Sequence, residues 1–100
     1  MRMMLHVVIP HEPFNTLARK GAAAKTLMKI LDSIKPEAAY FTEQDGQRGA
    51  IIVFDLKDPS QVPAIAEPWF LNFNADCKIR ICMTPEDLGK SNLDQLVKNW

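Results

Sequence analysis

One hundred residues give room for one domain and not for two. The chain is 47% hydrophobic, which excludes disorder. Twelve basic and twelve acidic side chains cancel, so no long-range field draws the protein towards phosphate backbones or anionic membranes, and neither a nucleic-acid nor a membrane partner is expected.

Met3 to Ile9 is apolar, rich in β-branched side chains and closed by Pro10, which predicts a first strand. The segment is too short, and too interrupted by His6, to serve as a signal peptide. Pro13 suits the first turn of a helix, with Glu12 favouring its N-terminal dipole. Phe14, Leu17, Gly21, Ala24, Leu27, Met28, Leu31 and Ile34 then recur at helical spacing. Gly21 weakens the middle, so a kink, or a first helix ending near Lys20, is expected. Lys35-Pro36 stops the pattern.

Ala38 to Thr42 reads as a second strand, Glu43 to Gln47 as a polar turn, and Gly49 to Leu56 as the strongest strand of the chain; strands two and three form a hairpin. Lys57 to Ser60 opens a second helix, with Ser60 as its N-cap and Pro63 in its first turn. Val62, Ile65 and Trp69 supply its apolar contacts. Pro68 predicts a kink or an irregular end between Glu67 and Asn72. Cys77 to Met83 alternates strictly and reads as a half-exposed edge strand. Thr84 caps a short turn, with a hydrophobic staple between Met83 and Leu88. Ser91 caps a last helix in which Leu93, Leu96, Val97 and Trp100 share a stripe.

Cys77 and Cys82 lie five residues apart on one strand, on opposite faces and about 16 Å apart at strand rise. A disulfide needs Cα atoms within about 7 Å, so the two do not bridge. Two free thiols fit a reducing, cytoplasmic setting.

The order βαββαβ followed by a helix predicts a ferredoxin-like α+β domain over residues 1–100. Right-handed crossovers put both long helices on one face of a four-stranded antiparallel sheet. Ile51 to Phe54 is apolar on both faces, so the opposite face needs a cover. The matching face of a second copy is the simplest one, and a homodimer is expected.

Four pieces carry a resemblance: Lys35 to Phe41, Gly46-Gln47-Arg48, Ala66 to Leu71, and Met83 to Leu88. They resemble small bacterial proteins of no assigned function that look like members of the dimeric α/β-barrel superfamily. The resemblance spans nearly the whole chain, but none of these pieces is a catalytic signature. It implies a menu of cofactor-free monooxygenases, isomerases, haem-binding enzymes and stress-related binding proteins.

Against that menu, His6 is the candidate general base, in a cleft between sheet and helices, and Tyr40, on the hairpin with Arg48, is a second candidate catalytic residue. Arg48, Glu67 and Trp69 are candidate substrate-binding residues around the Pro68 break. No metal site is expected, because His6, His11 and Glu12 have no rigid ligand spacing. No cofactor is expected either: haem needs an axial histidine facing an apolar cavity, and only His6 and His11 are on offer. The RNA-recognition motif shares this topology and Arg48-Gly49 matches its third strand. Ala50, Ile52 and Asp55 offer no ring for a base, which removes that reading. The first functional expectation is a small-molecule-binding or stress-associated homodimer. The alternatives are a cofactor-independent monooxygenase or isomerase and a structural interaction module.

Overall fold

A computed structural model of the chain describes all residues, 1–100. Its strands are β1 (Arg2–Ile9), β2 (Ala38–Gln44), β3 (Gln47–Asp55) and β4 (Asp76–Ile81). Its helices are α1 (His11–Arg19), α2 (Ala23–Ile34), α3 (Val62–Phe73), α4 (Pro85–Lys90) and α5 (Leu93–Leu96). The strands form one antiparallel sheet in the order β2-β3-β1-β4. That order, with two helical crossovers, is the ferredoxin-like arrangement.

Alternation along the strands decides which side chains meet the helices. Met3, Leu5, Val7 and Ile9 of β1 and Ala50, Ile52 and Phe54 of β3 point to one side. There they join Phe14 of α1, Ala23 and Ile30 of α2, and Trp69 and Phe73 of α3 in a single core. Phe14 and Trp69 both pack on Phe73, with ring centroids 5.2 and 6.2 Å away.

The first helical stretch is two helices, and of the two outcomes expected at Gly21 it takes the second: α1 ends at Arg19, with Lys20 as its C-cap. Gly21 takes φ +74°, a left-handed conformation that glycine reaches without strain, and the chain breaks there before restarting at Ala23. Regular turns of α1 begin at Pro13, since Glu12 is extended. The hairpin turn is tighter than expected: Asp45 and Gly46, both at positive φ, join β2 to β3 as a two-residue loop. The cap of the second helical segment is Asp58 rather than Ser60. Its carboxylate accepts from the Ser60 amide at 2.9 Å, and Gln61 reaches back to the Lys57 and Asp58 amides, closing a 3-10 turn before α3.

Pro68 does not end α3, which continues to Phe73. Pro68 has no N–H to offer the Ala64 carbonyl. The Asn72 side chain donates to the Pro68 carbonyl at 2.8 Å, and burial of Trp69 and Phe73 on either side of that turn holds the helix together.

The end of the chain departs furthest from expectation. Thr84 does cap α4: its hydroxyl accepts from the Asp87 amide at 3.1 Å and the Asp87 carboxylate accepts from the Thr84 amide at 3.0 Å. The last helix starts at Leu93, after Asn92 rather than Ser91, and gives way to a 3-10 turn at Val97–Asn99. Every residue from Leu88 to Trp100 is exposed, so no member of the Leu93, Leu96, Val97 and Trp100 stripe is buried against its own chain. The molecule is accordingly elongated, 58 × 28 × 19 Å. Its radius of gyration is 16.6 Å, against about 13 Å for a compact chain of this length.

Candidate functional site

The space between sheet and helices is filled. Leu5, Val7, Ile9, Ile52, Phe54, Trp69 and Phe73 are fully buried in it, and the expected sheet–helix cleft is closed by these side chains. Trp69 is one of them: it stands in the core, and its indole Nε1 is buried without a hydrogen-bond partner. Arg48, at the start of β3, turns towards the helices and sets its guanidinium carbon 4.3 Å from the centroid of the Phe14 ring, a cation–π contact that closes one end of the core.

Glu67 is exposed on α3, on the outer side of the helical layer. There it lines an open groove of about 510 Å³ between α2 and α3, with Lys29 and Ser33 across from it. His11 heads α1 in the open. Beside it, Glu12 accepts from the Thr16 hydroxyl at 2.7 Å, and this bond holds its carboxyl below the usual range. The five candidate residues are therefore not gathered in one pocket.

His6 and Tyr40 are brought together, on the face of the sheet away from the helices. The partners across the strands are Tyr40 with Ile51, Ile51 with His6, and His6 with Lys78, which makes one row running edge to edge. The row on one side, Thr42, Gly49, Val8 and Asp76, consists of small or short side chains. The row on the other, Ala38, Val53, Met4 and Arg80, is apolar but for its last member. The centre of this face is thus a patch of Met4, Val8, Ile51 and Val53 around one imidazole. His6 Nε2 is buried and has no hydrogen-bond partner in the chain. A buried polar atom left unpaired costs roughly 1–3 kcal/mol, so this nitrogen is set up to gain from a partner. Tyr40 is 66% exposed on the outer strand β2, its hydroxyl free to turn towards the row.

The sequence placed His6 on the same strand face as Met4 and Val8, but in the wrong layer. A signal for the right one was present: Arg2 and His6 on β1, with Lys78 and Arg80 on β4, are the polar members of a single face, which marks it as the one without helices. Of the positions where an RNA-recognition motif would carry rings, Ala50 and Ile52 face the helices and Asp55 ends the open face. The open face of β3 carries Gly49, Ile51 and Val53, again with no aromatic ring.

At the edge of the sheet, burial and the adjacent Asp76 carboxylate push the Cys77 thiol up to about 11. Both cysteines are free. No helix is long and apolar enough to cross a membrane.

No family model matches the chain. Among solved structures it is similar to 5-chloro-2-hydroxyhydroquinone dehydrochlorinase (TftG) from Burkholderia phenoliruptrix AC1100, described in complex with 2,5-dihydroxybenzoquinone. That match has a TM-score of 0.60 at 12% identity and covers 86% of this chain and 97% of the other. It is also similar to the de novo designed protein Ferredog-Diesel, with a TM-score of 0.47 at 10% identity over 81% of this chain and 85% of the other. At such identities TftG speaks for the fold alone, and with the β2-β3-β1-β4 order it establishes the chain as a ferredoxin-like α+β domain.

Proposed function

We propose that this protein is a small-molecule-binding homodimer whose two open sheet faces meet, and that each row of Tyr40, His6 and Lys78 holds part of a small oxygenated ring compound. The observation that carries this reading is the unpaired, buried His6 Nε2 at the centre of an apolar sheet face that nothing in the chain covers. Packed sheets stand about 10 Å apart. The short side chains of the Thr42–Gly49–Val8–Asp76 row leave space beside the imidazole at that separation.

An imidazole that donates or accepts, a phenol and an ammonium suit the hydroxyl, carbonyl or phenolate oxygens of such a ring. Met4, Val8, Ile51 and Val53 suit its faces. TftG, with the same fold, was captured with 2,5-dihydroxybenzoquinone, which makes that compound a sensible first probe and assigns it no role here.

The test is a thermal-shift titration of 2,5-dihydroxybenzoquinone and related hydroxylated rings, run beside native mass spectrometry of protein purified gently from its source. The expected result is a dimer whose Tm rises by several degrees with ligand, in a response lost in His6→Ala and reduced in Tyr40→Phe. A dimer that carries no extra mass and ignores the whole probe set leaves an interaction module instead. Turnover of a bound compound, lost in His6→Ala, makes the same row the centre of a cofactor-independent oxygenase or isomerase.

A further inference from the structure

We infer that the C-terminal arm, Leu88 to Trp100, is exchanged between two copies of this chain and seats on the partner's outer strand β2 around Phe41. The inference rests on the dimer reading above and adds to it the element that completes the interface.

The arm has no seat of its own. It contains a four-residue helix and a 3-10 turn, and every one of its residues is exposed, with Trp100 at 100%. Helices this short do not hold in water without packing. Nor is the arm a loose tail at its root. The reciprocal Thr84–Asp87 cap fixes where the chain leaves β4, the Cys82 amide donates to the Arg2 carbonyl at 3.1 Å, and Arg2 Nη1 lies 3.8 Å from the Asp87 carboxylate. The arm is aimed away from its body with Leu93, Leu96 and Val97 half exposed and Trp100 wholly exposed.

Area says that a second copy needs it. Four strands at about 4.8 Å spacing and eight residues at about 3.3 Å rise make a sheet face of roughly 500 Å². A standard stable interface buries about 800 Å² on each partner. The face alone falls short, and the arm, reached from β4 through exposed Ile81 and Met83, is an apolar surface that adds to it.

Topology says where the arm lands. The sheet order puts β2 and β4 at opposite edges. We take the two-fold axis that runs along the strands between two apposed faces, which lays each β4 over the partner's β2. The chain leaving β4 then meets an edge strand that exposes an aromatic side chain to either side, Tyr40 at 66% and Phe41 at 54%. Seated there, the arm covers an otherwise unpaired sheet edge and roofs the Tyr40 end of the partner's binding row.

The test uses full-length chains in a Cys77→Ala, Cys82→Ala background. One chain carries Leu96→Cys and the other, made heavier by a tag, carries Phe41→Cys. The two are mixed and oxidised with a glutathione redox couple. The expected product is a mixed disulfide that joins the two chains in high yield. In parallel, Leu93→Asp with Leu96→Asp, both at exposed positions, raises the dimer dissociation constant roughly a hundredfold or more while far-UV circular dichroism stays folded. A dimer that forms no mixed disulfide and keeps its dissociation constant in the double aspartate variant overturns arm exchange and leaves the sheet-face dimer standing. A full-length chain that stays monomeric at high micromolar concentration overturns both.

Discussion

The two faces of the one sheet are made from nearly the same residues and meet opposite fates. In β3, Ile51, Ile52, Val53 and Phe54 follow one another without a polar break, yet Ile52 and Phe54 are fully buried under the helices while Ile51 and Val53 lie on a face that the chain leaves open. In β1, Leu5 is wholly enclosed, and the next residue, His6, holds a nitrogen with no partner. Apolarity thus says that a face will be covered without saying by what. On one side the cover is in the same chain, held by short crossovers; on the other the chain supplies none. The packed side carries the fold's stability, and the open side is free to carry recognition.

The sharpest way to break that division is to cut neighbouring residues. Leu5→Ala removes a fully buried side chain from a filled core and is expected to cost about 2–5 kcal/mol, a large share of the 5–15 kcal/mol available to a domain. His6→Ala, one residue on, is expected to cost less than about 1 kcal/mol, because it also removes the unpaired buried nitrogen. Guanidinium denaturation of the two variants below the concentration of dimer dissociation checks this. Equal losses mean that both faces are packed alike.

Ile51→Lys separates association from folding. A charge at the centre of the open face is expected to abolish the proposed dimer by sedimentation while the monomer's stability changes by about 1 kcal/mol or less, since the side chain still reaches water there. If Ile51→Lys unfolds the chain instead, the open face is serving its own fold.

Most of the body was legible in the sequence because its signals are local. Strand alternation, the polar hairpin turn and the Thr84 cap each sit within a few residues, and the chain order then leaves few topologies. What escaped depends on partners distant in sequence. Pro68 argued for a break in α3, and tertiary burial of Trp69 and Phe73 overrode it. Trp69 was a candidate for substrate because an aromatic beside a proline looks like a pocket; it is core. Arg48 pairs with Phe14, a contact that no spacing rule announces. The Leu93–Trp100 stripe did signal an apolar helix face, but periodicity does not say whether that face packs at home, and it does not.

The smallest effect comes from β4, where the packed side ends. Cys77 pairs with Val7 and so points towards the helices, but it is only half-buried; burial, assisted by Asp76, pushes its thiol from 9.0 to about 11. Between these values the unfolded chain has lost its thiol proton and the folded chain keeps it, so the alkaline side favours unfolding. Stability is therefore expected to be unaffected by this group below pH 9 and to decline as the pH rises from about 9 to about 11. A Cys77→Ala variant is expected to lack that part of the decline. Guanidinium midpoints at a series of alkaline pH values measure the difference, and alkylation by iodoacetamide at pH 8, read by peptide mass, gives an independent check. A Cys77 that alkylates as fast as a free thiol places water on the helix side of the edge strand and moves the boundary between the two faces inward, towards β1.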